Sequence, residues 1–400
     1  MAKNLRKAGG LNSGEVLGEK KELEIYIHIP FCVKKCAYCD FLSAPAKAST
    51  RERYVEALKQ EIRESRSLRE SYEVSTVFVG GGTPSLLEDR QLAGILGELR
   101  NCFFIRDQAE ITVECNPGTL TGEKLKSLWD YGVNRLSLGL QSAQKEELAL
   151  LGRIHTWEEF LESFCLAREA GFSNINVDLM SGLPGQTRRS WQDTLEQVVA
   201  LKPEHISAYS LILEEGTPLY EQYGKTAEER TEKNTGGVCE IPPLPHEDTE
   251  RQMYYDTREI LETAGFSRYE ISNYARPGRE CQHNLGYWRR VEYKGFGVGA
   301  ASLLDGCRFR NQEALEPYLQ RQFAVTDYER LTPGDVLSET MFLGLRTREG
   351  VRITEQIHKV YQKELERYER QGFLVEQEGF LRLTDRGIDV SNWILADFLR

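Results

Sequence analysis

The sequence predicts an α/β protein: an incomplete (β/α)6 parallel barrel with a smaller winged-helix-like domain at its carboxyl end. Three observations predict it. Six short β-branched or apolar runs alternate with helical stretches through the first half of the chain, and strands joined by helical crossovers lie parallel. From about Asp335 this alternation gives way to two helical stretches and then a hairpin pattern. At 400 residues the chain exceeds the roughly 250 at which single domains usually divide, so one large and one small unit fit its length.

Taken in order, residues 1–22 read as a flexible tail, basic in places but without the apolar core of a secretory signal. Residues 23–290 carry the barrel. Its first strand is Glu24 to Ile29, and Tyr54, Leu58 and Ile62 mark one face of the helix that starts near Arg51. The remaining strands are expected at Ser75 to Val79, Glu110 to Cys115, Arg135 to Leu140, Asn174 to Met180 and His205 to Leu213. Helices are expected between them around Arg90 to Arg100, Gly122 to Tyr131, Trp157 to Ala170 and Ser190 to Leu201. Residues 224–248 break the rhythm with charge, a glycine pair and Pro242, Pro243 and Pro245, the composition of an exposed insertion. Residues 291–334 are a connecting region. In residues 335–400 a helix runs through Leu345 and another from Thr354 to Arg370. A hairpin from Phe373 to Leu383 turns near Gly379, and a last helix reaches Arg400.

Composition narrows the function classes. With 40% hydrophobic and 28% charged residues the chain folds rather than stays disordered. A net charge of -11 argues against a general nucleic-acid binder, since phosphate neutralisation needs a cationic face. No stretch approaches the roughly 20 apolar residues of a membrane span, so a cytoplasmic location is expected and any membrane association would run through a partner. Of nine cysteines, Cys102, Cys115, Cys165, Cys239, Cys281 and Cys307 stand alone, as small core residues do in a reducing compartment.

The other three, Cys32, Cys36 and Cys39, share one loop just past the first strand. A four-iron four-sulfur cluster normally takes four thiolates. Three leave one iron with an open position for a chelating ligand such as the amino and carboxylate groups of S-adenosylmethionine (SAM). Electron transfer to the sulfonium would then break a carbon–sulfur bond and give a 5′-deoxyadenosyl radical. A zinc knuckle would need a second ligand pair, and the sequence holds none. The triplet CxxxCxxC, with Tyr38 before its last cysteine, resembles the signature of the radical SAM superfamily.

In parallel barrels the working residues sit at the carboxyl ends of strands. There the sequence places Gly80 to Pro84 after the second strand, Glu114 on the third, Gln141 on the fourth, Arg153 beyond it, and Asp178 on the fifth. The glycines would let the backbone approach a ligand. Singly, Glu114 and Asp178 fit helix capping or pairing with Arg153 equally well. The arrangement resembles that of oxygen-independent coproporphyrinogen III dehydrogenase and its relatives. That resemblance implies SAM contacts from Tyr26, Gly81, Gly82, Thr83, Glu114, Gln141, Arg153 and Asp178, besides the aromatic Tyr38 of the cluster loop.

Two departures point away from the dehydrogenase itself: Phe41 stands where that enzyme has a fourth cysteine, and only a short polar tail precedes Tyr26. Both match the haem chaperones of the HemW type, as does the run His283, Asn284, Leu285, Gly286, Tyr287, Trp288, which looks like their HNxxYW motif. The resemblance implies a chaperone that binds haem and passes it to respiratory haem proteins while carrying the cluster and SAM. It makes His283 a candidate axial ligand. The alternative it leaves is a dehydrogenase-like radical SAM enzyme.

Overall fold

Along the parallel strands apolar side chains alternate with polar ones, and this alternation decides what each face of the sheet meets. The computed structural model describes residues 20–224 and 242–399, so most of the amino-terminal tail, residues 225–241 of the expected insertion, and Cys239 with them lie outside the described residues. Six strands pair in chain order, all parallel: β1 Lys21–Ile29, β2 Tyr72–Gly81, β3 Ile105–Cys115, β4 Arg135–Gln141, β5 Ile175–Ser181 and β6 His205–Ser210. Ile25, Ile27, Val77, Val79, Ile111, Val113, Leu136, Leu138 and Val177 face the helices, forming one core with Tyr54, Leu58, Leu92, Ile95, Leu125 and Leu195. The sheet does not close: the strands Val325–Arg330 and Ser267–Arg268 form its two edges.

The concave face is polar. Its deep end carries Glu24, Thr76, Glu110, Arg135, Asn176 and His205, each 9% exposed or less. His205 shares hydrogen bonds with Asn176 Oδ1 (2.6 Å) and the Tyr269 hydroxyl (2.9 Å). Burial, with the Arg135 cation second, holds its pKa well below the ordinary imidazole value.

The expected sixth strand stops at Ser210 rather than Leu213. Its pairing with β5 ends at Ser181 and Ser210, and Leu211 N–H then donates to Ser181 O (2.8 Å) as the chain turns over the cavity mouth. Beyond β6 the sheet continues antiparallel through β7 Ser267–Arg268 and β8 Asn273–Ala275. At the other edge, residues 291–334 are not a bare connection. They form β9 Tyr293–Phe296, parallel to β1, then the antiparallel strands β10 Ala301–Leu304, β11 Cys307–Asn311 and β12 Val325–Arg330. Glu61, on the helix Ala48–Glu64, pins this apron to the barrel. Its buried carboxylate accepts from Gly297 N–H (2.9 Å), Asn311 Nδ2 (2.7 Å) and the Tyr318 hydroxyl (2.6 Å), with Lys294 Nζ at 3.8 Å.

The carboxyl-terminal part has its own core, built from Met341, Leu345, Ile357, Tyr361, Leu365, Leu381 and Phe398. Thr332 and Asp335 form a capping box on the helix Pro333–Gly344, and Thr354 caps Glu355–Arg370. The strands β13 Val351–Arg352, β14 Leu374–Gln377 and β15 Phe380–Leu383 make a small antiparallel sheet. The single helix expected at the end is two short ones, Asp385–Asp389 and Ser391–Ala396, because Val390 leaves helical geometry with φ -123°. Glu339, accepting from Arg290 (2.8 Å) and Arg308 (2.6 Å), ties this unit to the apron. Among the described residues no helix is long and apolar enough to cross a membrane.

Candidate cofactor site

At the carboxyl ends of β1 to β6 lies a cavity of about 480 Å³ whose lining includes Cys32, Cys36 and Cys39. The cysteine loop follows β1 and is stitched to its surroundings through the backbone. Cys32 N–H donates to Ala44 O (3.2 Å), Ala37 N–H to Leu151 O (2.9 Å), and Leu219 N–H to Ala37 O (3.0 Å). His28 anchors its far end, with Nε2 2.8 Å from Leu42 O. Among the described residues no three His, Cys, Asp or Glu side chains converge where one ion could sit. A cubane binds three thiolates through three different irons and so asks for a wider spread than a zinc site does.

A belt of hydrogen bonds joins two of the thiols across the cavity wall. The Thr83 hydroxyl donates to Cys32 Sγ (3.5 Å) and Asn116 Nδ2 to Thr83 Oγ1 (2.9 Å). Arg153 donates to Asn116 Oδ1 (3.0 Å), to the Gly139 carbonyl and, from its other amino group, to Cys36 Sγ (3.7 Å). Arg153 Nε is buried without a partner. Asn116 went unnoticed in the sequence; its place two residues after Glu114, past the end of β3, was the available signal.

Glu114 Oε2 accepts from Gly81 N–H (3.0 Å). The carboxyl reaches the cavity surface, yet the protein encloses it, and burial followed by the nearby Asp178 carboxylate pushes its pKa up to about 8. Asp178 is raised as well, first by burial, although Ser137 (3.0 Å) and Asn176 (2.7 Å) donate to its two oxygens. A cationic ligand is what two such carboxylates lack. Gln141 sits in the left-handed region at φ 73°, where β4 slips register against β5, and accepts from the Tyr209 hydroxyl (3.0 Å). Such strain in a non-glycine residue collects where a side chain must be aimed. Tyr209 is a second lining residue that sequence reasoning missed.

Gly81, Gly82, Thr83, Glu114, Gln141, Arg153, Asp178 and Tyr38 therefore meet around one cavity with the three cysteines. Gly81 and Gly82 line the cavity and also pack too closely for a side chain: at Gly81 (φ +109°) a Cβ would stand 2.5 Å from the His28 ring, and at Gly82 one would stand 2.7 Å from Phe31 O. Two expected residues lie elsewhere. Tyr26 does not line this cavity but a neighbouring cleft, its hydroxyl 2.9 Å from His28 Nδ1. His283 lines neither. Only 1% exposed, it shares hydrogen bonds through Nδ1 with the Thr76 hydroxyl (2.7 Å) and through Nε2 with the Tyr287 hydroxyl (3.1 Å), so neither nitrogen is free for iron.

His283 belongs to the helix Gln282–Trp288, whose amino end Glu110 holds by accepting from Gln282 N–H and His283 N–H (both 3.2 Å). Gly286 is required there because a Cβ would collide with the Glu24 carboxylate. Burial, then Arg135, pushes the His283 pKa down to about 3, while Glu24 is pushed up to about 9, mainly by burial. Both groups stay neutral at physiological pH.

The family model of the radical SAM superfamily matches residues 26–198, and that of the HemN C-terminal domain matches residues 331–390. The heme chaperone HemW of Bacillus subtilis is 35% identical over 94% of this chain and 98% of its own length. That of Escherichia coli is 33% identical over 94% and 98%. Among solved structures, the coproporphyrinogen III oxidase HemN of Escherichia coli, described as a radical SAM enzyme, superposes with a TM-score of 0.81 at 25% identity, covering 95% of this chain and 90% of its own.

Proposed function

Because the chain belongs to the HemW family of haem chaperones within the radical SAM superfamily, we propose that it binds haem and delivers it to respiratory haem proteins, with Cys32, Cys36 and Cys39 holding a four-iron four-sulfur cluster and the adjoining cavity holding SAM. The observation that carries the cofactor part is the belt from Cys32 through Thr83, Asn116 and Arg153 to Cys36, which fixes the thiol loop against the cavity wall.

When bound, the cluster supplies the electron that cleaves the carbon–sulfur bond of SAM. The chain's own residues bind and orient. Arg153, in the cavity lining, supplies the cation for the carboxylate of the ligand. Glu114 and Asp178 accept from ribose hydroxyls and offset the sulfonium charge. Gln141, with its amide oxygen set by Tyr209, directs its NH2 group into the same space. Tyr38, packed beside Leu151, Met180 and Leu219, closes the cluster side against water.

For haem, end-to-end likeness to relatives named as haem chaperones is the support. Phe41 in place of a fourth cluster-loop cysteine supports a role other than porphyrinogen oxidation. The test is titration of the anaerobically reconstituted chain with haem, followed by transfer to an apo-acceptor. A Soret band that moves to the acceptor is expected. Failure to bind haem overturns the proposal, as does conversion of coproporphyrinogen III to protoporphyrinogen with SAM and reductant.

A further inference from the structure

We propose that haem docks in the cleft of about 520 Å³ that lies between the cluster loop and the β9–β11 apron, with Phe41 as the aromatic residue that divides it from the SAM cavity. This inference rests on the haem-chaperone reading and adds to it a place, a wall and a pair of charges.

Aromatic rings crowd one side of the cleft. One wall is a continuous run of rings. Tyr293 meets Tyr287 edge-on at 4.8 Å, and Tyr287 meets His283 at 4.8 Å. His283 stacks on Phe78 at 5.2 Å, and Phe78 on Tyr26 at 6.4 Å. Tyr26, Tyr287 and Tyr293 face the cleft, while His283 and Phe78 back them. On the apron side stand Gly299, Ala300 and Ala301, which have almost no side chain to obstruct a plane. The volume falls within the roughly 300–1,000 Å³ of pockets that enclose ligands of this size.

Four charged side chains line the cleft, the cations Lys35 and Arg310 and the carboxylates Asp40 and Glu313, and the two cations are the partners available to the two propionates of haem. Lys35 is exposed on the cluster loop, and Arg310 is exposed on β11. Arg310 is 3.2 Å from Glu313, a pair with side chains 49% and 59% exposed. Exposed pairs of this kind contribute at most about 1 kcal/mol, so the guanidinium can turn to a propionate at little cost.

Phe41 is the residue that sequence comparison could only mark as a departure. It is 66% exposed, an unusual state for a large aromatic ring, and together with Asp40 it lines both the cleft and the SAM cavity. A macrocycle seated in the cleft covers it. The same geometry gives the HNxxYW run a physical role: Tyr287 presents its ring to the ligand, and His283 holds the Tyr287 hydroxyl from behind.

The test is a Soret-monitored haem titration of the full, anaerobically reconstituted chain, with and without SAM. Wild type is expected to take one equivalent, and SAM is expected not to displace it. Phe41→Ser and Arg310→Glu are each expected to weaken binding about tenfold, or ~1.4 kcal/mol. Trp393→Ser removes a ring that is 54% exposed in the carboxyl-terminal domain and is expected to bind as wild type does. Both cleft positions lie at the surface, so far-UV circular dichroism should be unchanged. Wild-type affinity in both cleft variants overturns the location, as does displacement of haem by SAM. No binding by the wild type overturns instead the haem-chaperone reading beneath it.

Discussion

The affinity of the chain for SAM should rise with pH, and Glu114 sets the range. The sulfonium of SAM is a permanent cation, and the site that suits it is the one with Glu114 ionised. With a pKa of about 8 in the free protein, burial being the main cause, Glu114 is about one-tenth ionised at pH 7. Binding at pH 7 therefore costs about 1.4 kcal/mol, a factor of ~10, relative to the plateau reached above pH 9, and about another factor of ten at pH 6. The sign follows from linkage: the free site holds a proton that the bound site releases, so affinity grows as protons become scarce. The same shift acts oppositely on the SAM-free fold. Between 4.5 and about 8 the folded state keeps a proton that the unfolded chain has lost, so this group's contribution to stability falls as pH rises through that range. Calorimetric SAM titrations of the anaerobically reconstituted chain at pH 6, 7, 8 and 9, at constant ionic strength, measure the slope. Glu114→Gln should flatten it and leave affinity low throughout. A flat wild-type profile, or an undiminished slope in Glu114→Gln, would refute the reasoning.

Four further outcomes are expected. Serine at any one of Cys32, Cys36 or Cys39 leaves two thiols and should abolish the brown chromophore, checked by iron and sulfide content after reconstitution. Arg153→Lys keeps the charge but loses the fork that serves Asn116 and Gly139; at about 1–3 kcal/mol for the unsatisfied acceptors, SAM affinity should drop at least fivefold in the same calorimetric assay. Glu61→Gln leaves Lys294 buried without its partner and aims an amide donor among other donors, so denaturant unfolding should show a loss of about 3–5 kcal/mol. Gly81→Ala forces a Cβ into the His28 ring at φ +109° and should cost about 1–3 kcal/mol, read as a lower melting temperature.

The parallel strands were legible because helix-facing positions such as Ile25, Val77, Val113 and Leu138 alternate with polar ones, and because apolar helical faces separate them. The three-cysteine loop stood out by its spacing alone. The apron was not. β9 and β10 are four residues each, and β12, Val325–Arg330, is exposed at every position, so no periodicity separated them from loop. Glu61 looked like one more charged residue on a helix, since its partners Gly297, Asn311 and Tyr318 lie more than two hundred residues away. Asn116 and Tyr209 escaped for the same reason: each acts through a partner that only the folded sheet brings near. The motif around His283 was recognisable, but which side of its helix meets the cleft depends on Glu110 and Thr76, on other strands.

The buried guanidinium of Arg135 at the deep end of the barrel has a consequence for everything stacked above it. A permanent positive charge there, added to desolvation, keeps the imidazoles of His205 and His283 from taking up a proton anywhere near neutrality. Both rings therefore stay neutral through changes in cellular acidity, each sharing hydrogen bonds through both of its nitrogens. Acidification would protonate Glu114 and weaken its hold on the nucleoside cofactor while leaving the charge state of His205 and His283 unchanged.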